Sequence, residues 1–443
     1  MSYEMVALLM FLGMIFLMLT GQRVFAMIGA VAAASALALY GDASIELPFN
    51  AVFKLFSWYA LLTLPLFVFM GHMMAKSGIA EDLYVMMHVW CGRLPGGLAM
   101  GTVFLMVIIS AINGLSVAGL AIGSAIALPE MLRRGYDKVL ITGVVQGGST
   151  LGILIPPSVV MVLFAVIARQ PVSELWLAGI FPGLLMAVVF TIYIYIRVKL
   201  NPSLAPALSP EELNMPFGQK LLLLRAGIAP FVIFLLMIGL FVLGYTSLLE
   251  SSAVGATSAM LAAAWKRRLT VKVLIEAAQE TMSVTAMFMW IVLGALAFSS
   301  VFDGIGAVRA IENIFIHNWE LSPWAVIILM QVSFILMGMF LDDTAMLVIV
   351  APLYIPLVKM LDLGIDNQMA WFGILYTMTC QVAYISPPFG YNLFLMRGMA
   401  PKEITLIDIY RSIWPFMLLI AFTIVLLMIF PQIATWLPAY IRG

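Results

Sequence analysis

Four short runs in an otherwise apolar chain hold most of the atoms that could do chemistry. Asn113-Gly114-Leu115-Ser116 interrupts one long hydrophobic stretch, and Gly338 to Thr344, with Asp342 and Asp343, interrupts another. Gly147-Gly148-Ser149-Thr150-Leu151-Gly152 leads into Ile155-Pro156-Pro157-Ser158, and Ile385-Ser386-Pro387-Pro388-Phe389-Gly390 leads into Asn392. None of these runs sets a nucleophile beside a base. The three histidines (His72, His88, His317) and two cysteines (Cys91, Cys380) are scattered, without metal-ligand spacing. What the runs offer is neutral oxygen. Hydroxyls and amides are joined by main-chain carbonyls that lose their helical partners where adjacent prolines remove backbone donors. Unwound carbonyls and half-helix ends hold a small cation without a full countercharge. These residues suit ion and solute binding, and the chain reads as a carrier and not an enzyme.

The elements that must position them lie in lipid. Of 443 residues, 64% are hydrophobic and 10% charged, with a mean hydropathy of +1.10. That is far fewer charges than the roughly 25% a water-facing surface carries. The formal net charge is zero, which leaves no electrostatic footprint for nucleic acid. Met1 to Thr20 lacks a basic start and is followed at once by another apolar run, so it reads as a first membrane helix and not a signal peptide. A span needs about 20 apolar residues. Spans are expected near 3–20, 23–40, 50–77, 138–169, 174–200, 220–244, 249–266, 272–302, 368–397 and 406–430. Stretches 97–132 and 322–360 are too long for one crossing and polar near their middles, so each is expected to be a re-entrant helical hairpin. Stretches 138–169 and 368–397 carry the proline pairs and are expected to be broken helices. Non-helical backbone at that depth survives only when it is buried in protein or lines a cavity.

The order of elements repeats. Residues 1–200 form a first repeat: scaffold helices within 1–77, an arm helix over 79–92, the hairpin, the broken helix and a closing helix over 174–200. A linker over 201–219 leads to a second repeat over 220–443. It holds scaffold helices within 220–302, an arm helix over 305–316, a hairpin, a broken helix and a helix over 406–430. Gly135 corresponds to Gly364, and Pro156-Pro157 to Pro387-Pro388. With Arg23 on the cytoplasmic side, ten crossings put every Lys and Arg there except Lys54, Arg169, Arg309, Lys359 and Arg442. Both termini then face the periplasm and the second repeat enters the membrane inverted. Inverted repeats supply the two opposite-facing states that alternating access requires. The expected fold class is an all-α polytopic membrane protein with two inverted repeats, of the elevator type. A channel, the nearest rival, would need a continuous pore with selectivity rings.

The runs Pro129-Glu130-Met131-Leu132-Arg133-Arg134-Gly135-Tyr136-Asp137 and Gly147 to Ser158 closely resemble the large, DctM-type permease subunit of tripartite ATP-independent periplasmic (TRAP) transporters. So do Gly338-Met339-Phe340-Leu341-Asp342-Asp343, Pro352 to Pro356, Leu363-Gly364-Ile365-Asp366 and Ser386 to Phe394. The resemblance covers nearly the whole chain. It implies a multi-pass protein of the bacterial inner membrane that works as a sodium-coupled elevator. It also implies a soluble periplasmic substrate-binding protein and a small four-helix membrane subunit, here expected on a separate chain. The substrate expected is a small organic acid or similar solute, with sodium the coupling ion and no other cofactor. An autonomous sodium-coupled carboxylate carrier is the alternative.

On that footing the first sodium site is expected among Asn113, Gly114, Ser116, Gly148, Ser149, Thr150, Gly152 and Pro156. The second is expected among Gly338, Asp342, Asp343, Thr344, Ser386, Pro387 and Gly390, with Asp343 the favoured carboxylate. Substrate contacts are expected from Asn113, Ser116, Ser158, Thr344 and Asn392. The family often has Ser-Gly-Ser-Ser where this chain has Asn113-Gly114-Leu115-Ser116, so Leu115 offers only its carbonyl. Ser386 stands where Thr is common and keeps the hydroxyl. No Lys or Arg lies convincingly at mid-depth, so an anionic solute would rely on half-helix N-termini at Ser116 and Thr344 and on bound sodium.

Overall fold

The computed structural model describes residues 3–442 except 21, 23, 42–43, 45, 56–58, 93, 115, 207–215, 305–320, 340–342 and 388–389. The second arm helix (305–316), Leu115, Asp342, Pro388 and the middle of the linker over 201–219 lie outside the described residues. Every regular element among those described is helical. In chain order these begin with α1 (Tyr3–Leu19), α2 (Val24–Tyr40), α3 (Glu46–Leu55), α4 (Thr63–Lys76) and α5 (Ile79–Cys91). Next come α6 (Gly97–Asn113), α7 (Ser116–Arg133), α8 (Lys138–Thr150), α9 (Val159–Ala168) and α10 (Val172–Leu200). The rest are α11 (Phe217–Val242), α12 (Leu248–Trp265), α13 (Val271–Gly304), α14 (Pro323–Gly338), α15 (Asp343–Met360), α16 (Gln368–Ile385), α17 (Tyr391–Met399), α18 (Leu406–Ile429) and α19 (Gln432–Arg442). Four of them, α10, α11, α13 and α18, are long and apolar enough to cross a membrane by themselves.

Both long polar-centred stretches divide into two helices packed on each other, α6–α7, where Gly123 meets Met106, and α14–α15, where Ser333 Oγ is 2.7 Å from the Tyr354 hydroxyl. Both proline-bearing spans break, α8 from α9 and α16 from α17. The stretch expected to span over 50–77 corrects the sequence reading. It divides into α3, a 3-10 turn over Tyr59–Leu62 and α4. Pro65 lies in the first turn of α4, where its missing N–H breaks no helical bond, so it marks a helix start and not a span interior. Helix α19 is a further element that the expected spans omit. Its Trp436 stacks on Tyr440 and meets Phe181 of α10 edge-on.

The helices pack mainly in two sets, which meet where α13 lies against α15 and α4 against α6. Helix α4 lies against α12 and α13, and α2 and α3 lie against α13. Polar contacts lace α4 to α13: His72 Nδ1 lies 2.9 Å from Glu280, and Lys76 Nζ pairs with Glu276 at 3.0 Å and Glu280 at 3.4 Å. In the other set, α8 carries α7 on one side and α18 on the other, while α16 is flanked by α14 and α18. Phe416 of α18 wedges between α8 and α10, edge-on to Phe190. Phe164 of α9 stacks on Tyr376 of α16, and Phe334 of α14 meets the same tyrosine edge-on. These rings are fully or nearly fully buried and form two clusters, of which that of Phe164, Phe334 and Tyr376 joins the second hairpin to both broken helices.

Candidate functional site

The polar runs meet where the two broken helices and the first hairpin touch. Helix α8 ends at Thr150, continues as a 3-10 turn over Leu151–Ile153 and unwinds through the cis Pro156–Pro157 peptide. Ser158 then caps α9: its Oγ accepts from the Met161 N–H at 3.2 Å and donates to the Ile153 carbonyl at 2.5 Å. Ser158, expected to touch substrate, thus has its hydroxyl proton committed to the turn. Gly152 and Pro156 are buried in this turn. The tip of the first hairpin rests on it. Gly114 has φ +63, its carbonyl accepts from the Val159 N–H at 3.4 Å, and a Cβ there would lie 2.0 Å from the Pro157 carbonyl oxygen.

Asn392, in the first turn of α17, ties these pieces together. Its Nδ2 donates to Ser116 Oγ at 3.0 Å and to Ser149 Oγ at 3.1 Å. The three side chains are at most 1% exposed. Ser149 Oγ donates to the Gln146 carbonyl at 2.7 Å, and Thr150 Oγ1 to the Gly147 carbonyl at 2.7 Å. Asn392 Oδ1 has no hydrogen-bond partner among the described residues. A buried amide oxygen without a donor is costly to leave so, by about 1–3 kcal/mol. It is therefore an oxygen available to a cation or to a solute N–H or O–H. Asn113 closes α6 beside this cluster, while Gly148 backs onto Met106 of α6 and serves close packing.

Helix ends give the cluster its electrostatics. Helices α7, α9 and α17 start here, at Ser116, Val159 and Tyr391, and their N-terminal ends carry partial positive charge; at α9 the Val159 and Met161 N–H groups are already taken by the Gly114 carbonyl and Ser158 Oγ. Helices α6 and α8 end here, at Asn113 and Thr150, and present carbonyls. One locus thus offers donors for an anionic group and neutral oxygens for a cation, without a buried lysine or arginine.

Of the second expected set, Asp343 opens α15 and is buried, with Thr344 behind it in the same first turn. The Tyr376 hydroxyl donates to the Asp343 carbonyl, which fastens the hairpin tip to α16. Gly338 ends α14 against Ala383, three residues before Ser386. Ser386 Oγ donates to the Ala383 carbonyl at 3.3 Å, and the Ser386 carbonyl accepts from the Gly390 N–H at 2.9 Å, which closes the turn through Pro387.

Two glutamines that the sequence reading passed over complete the site. Gln381 of α16 donates from Nε2 to the Thr150 carbonyl at 2.8 Å, bridging the two broken helices. Gln146 donates to Ser412 of α18 at 3.1 Å. Both are fully buried. The available signal was position, since a glutamine inside an apolar span costs free energy unless it has a partner. Gln381→Leu is expected to lower stability by about 1–3 kcal/mol, because the Thr150 carbonyl loses its donor in a dry setting. Thermal unfolding in detergent measures this, and an unshifted transition would remove the bridge from the account.

A family model described as "Tripartite ATP-independent periplasmic transporter, DctM component" matches residues 11–433. The C4-dicarboxylate TRAP transporter large permease protein of Pseudomonas aeruginosa is 29% identical over 395 residues, covering 88% of each chain. The ectoine/5-hydroxyectoine TRAP transporter large permease protein of Ruegeria pomeroyi is 28% identical over 430 residues, covering 96% of this chain and 97% of that one. Among solved structures, the YdaH transporter of Alcanivorax borkumensis superposes with a TM-score of 0.60, covering 94% of this chain and 97% of that one. At 16% identity that likeness concerns the fold alone.

Proposed function

The chain belongs to the DctM-component family of tripartite ATP-independent periplasmic transporters, a family of transporters and not of enzymes, and from that premise we propose that it imports a small organic acid or similar solute across a bacterial inner membrane, driven by sodium. The observation that carries this reading is the Asn392 junction. One buried amide joins the first hairpin tip to both broken helices and keeps its oxygen uncommitted. Its neutral oxygens suit sodium, a hard cation. The helix starts beside it suit a carboxylate, so a bound ion and an anionic solute would each make the other cheaper to hold.

In this reading the hairpins and broken helices, α6–α9 and α14–α17, move as an elevator against α2–α4 and α11–α13. Two observations support an inverted repeat. Gly135 and Gly364, the glycines that follow each hairpin, both have positive φ, of 75° and 64°. Thr150 and Gln381, which hydrogen-bond to each other, stand 231 residues apart, the separation of Pro156 from Pro387. Residues at equivalent positions of two repeats meet in this way near a two-fold axis. A periplasmic binding protein would deliver the solute, and a small membrane subunit would complete the complex.

Uptake in proteoliposomes holding the chain with its small subunit tests the proposal. A panel of C4-dicarboxylates, other organic acids and ectoines is offered with and without binding protein and an inward sodium gradient. Uptake that requires both is expected. Uptake without binding protein would make the chain an autonomous carrier, and uptake indifferent to sodium would overturn the ion assignment.

A further inference from the structure

Sharing no residue with the Asn392 junction, a groove of about 660 Å³ opens between the arm helix α5, the start of α11 and the end of α12. Its walls are apolar: Ile79 and Val85 of α5, Leu222 and Ile228 of α11, and Ala262 of α12. Three charges lie on its rim, Asp82, Arg225 and Lys266. Lys266 is already matched, since its Nζ pairs with Asp82 and donates to the Gly78 carbonyl at 3.1 Å. Glu81 and Arg268 stand together beside Gly78 at the head of α5. Arg225 is the cation left over, exposed and without a carboxylate partner among the described residues. Trp265, 85% exposed, flanks the groove where the chain turns into Lys266-Arg267-Arg268.

The combination selects an occupant. Tryptophan and clustered bases mark headgroup depth on a membrane protein. An apolar trough running from that depth fits an acyl chain, and an unmatched guanidinium at its mouth fits a phosphate, which it can bind bidentately. Basic pockets between membrane helices hold anionic headgroups for the same reason. We propose that this groove is a binding site for an anionic glycerophospholipid, its phosphate on Arg225 and an acyl chain along Leu222, Ile228 and Val85. The lipid would join the arm helix, which leads into the first hairpin, to α11 and α12.

The test is lipid retention by the intact purified membrane complex, read by native mass spectrometry after delipidation and exchange into defined lipid. Phosphatidylglycerol is expected to be retained in preference to phosphatidylcholine. Arg225→Ala is expected to weaken that retention about fivefold, the factor that corresponds to about 1 kcal/mol per basic residue at a membrane surface. Asp82→Asn, which frees Lys266 for the phosphate, is expected to strengthen it. Inorganic phosphate alone is expected to give no thermal stabilisation. Equal retention of the two lipids, retention unchanged in Arg225→Ala, stabilisation by phosphate alone, or displacement of the lipid by a second polypeptide would each overturn the assignment.

Discussion

Asn392→Ala is expected to cut sodium-driven uptake by at least about tenfold while the protein still assembles in the membrane. The substitution removes the donor that Ser116 and Ser149 share, at 3.0 and 3.1 Å, in a site with no exposure. A buried polar group left without its partner costs about 1–3 kcal/mol. A loss of only about 1.4 kcal/mol from the loaded state already reduces its population tenfold. The global fold should tolerate the change, because the aromatic core about Phe164, Phe334 and Tyr376 is untouched. The readouts are initial uptake rate and the sodium concentration for half-maximal rate, alongside thermal unfolding.

Asn392→Asp separates the two roles of this residue. A carboxylate keeps an oxygen for the cation and adds charge, so less sodium should be needed for half-maximal uptake. The same charge opposes an anionic solute, so the apparent affinity for that solute should worsen. Opposite movements of the two constants support a shared ion–solute locus. If Asn392→Ala retained full sodium-dependent uptake, the proposed site would be in the wrong place.

The frame of the molecule was readable because each break has a chemical mark. Asn113-Gly114 ends α6 and Gly338 ends α14 in the middle of apolar stretches, and the helix that follows each packs back on it. The proline pairs at 156–157 and 387–388 remove donors that a helix needs, and α8 and α16 end before them while α9 and α17 begin after them. Long-range pairing left weaker marks. Nothing local to Gln381 indicates that its amide reaches Thr150, since that contact depends on how two distant broken helices are set against each other. The division of 50–77 was hidden for a different reason: hydropathy averages over Pro65 and cannot distinguish a kink within a span from the first turn of a new helix. Ser158 shows the converse limit. A serine after two prolines in a binding run is equally well a helix cap, and here its hydroxyl holds the turn closed.

Gly114→Ala should be the most damaging single-methyl change in the chain's polar runs. Two costs combine there. With φ +63, any L side chain is strained by about 1–2 kcal/mol. The added Cβ would also lie 2.0 Å from the Pro157 carbonyl oxygen, a backbone atom that cannot swing aside as a flexible side chain would. The hairpin tip must therefore lift off the first broken helix. Lifting would weaken the 3.4 Å bond from Val159 N–H to the Gly114 carbonyl and draw Ser116 away from Asn392. Gly364→Ala is the matched control. Its φ of +64 imposes the same backbone strain, but nothing lies within 4 Å of the new methyl. The difference between the two variants isolates the contact from the strain. Gly364→Ala is expected to lose about 1–2 kcal/mol of stability and keep uptake. Gly114→Ala is expected to lose more stability and nearly all uptake, with sodium no longer protecting the protein against heat. Equal behaviour of the two would show that the tip can retract without consequence, and the seating of the hairpin on the broken helix would then play no part in holding the ion.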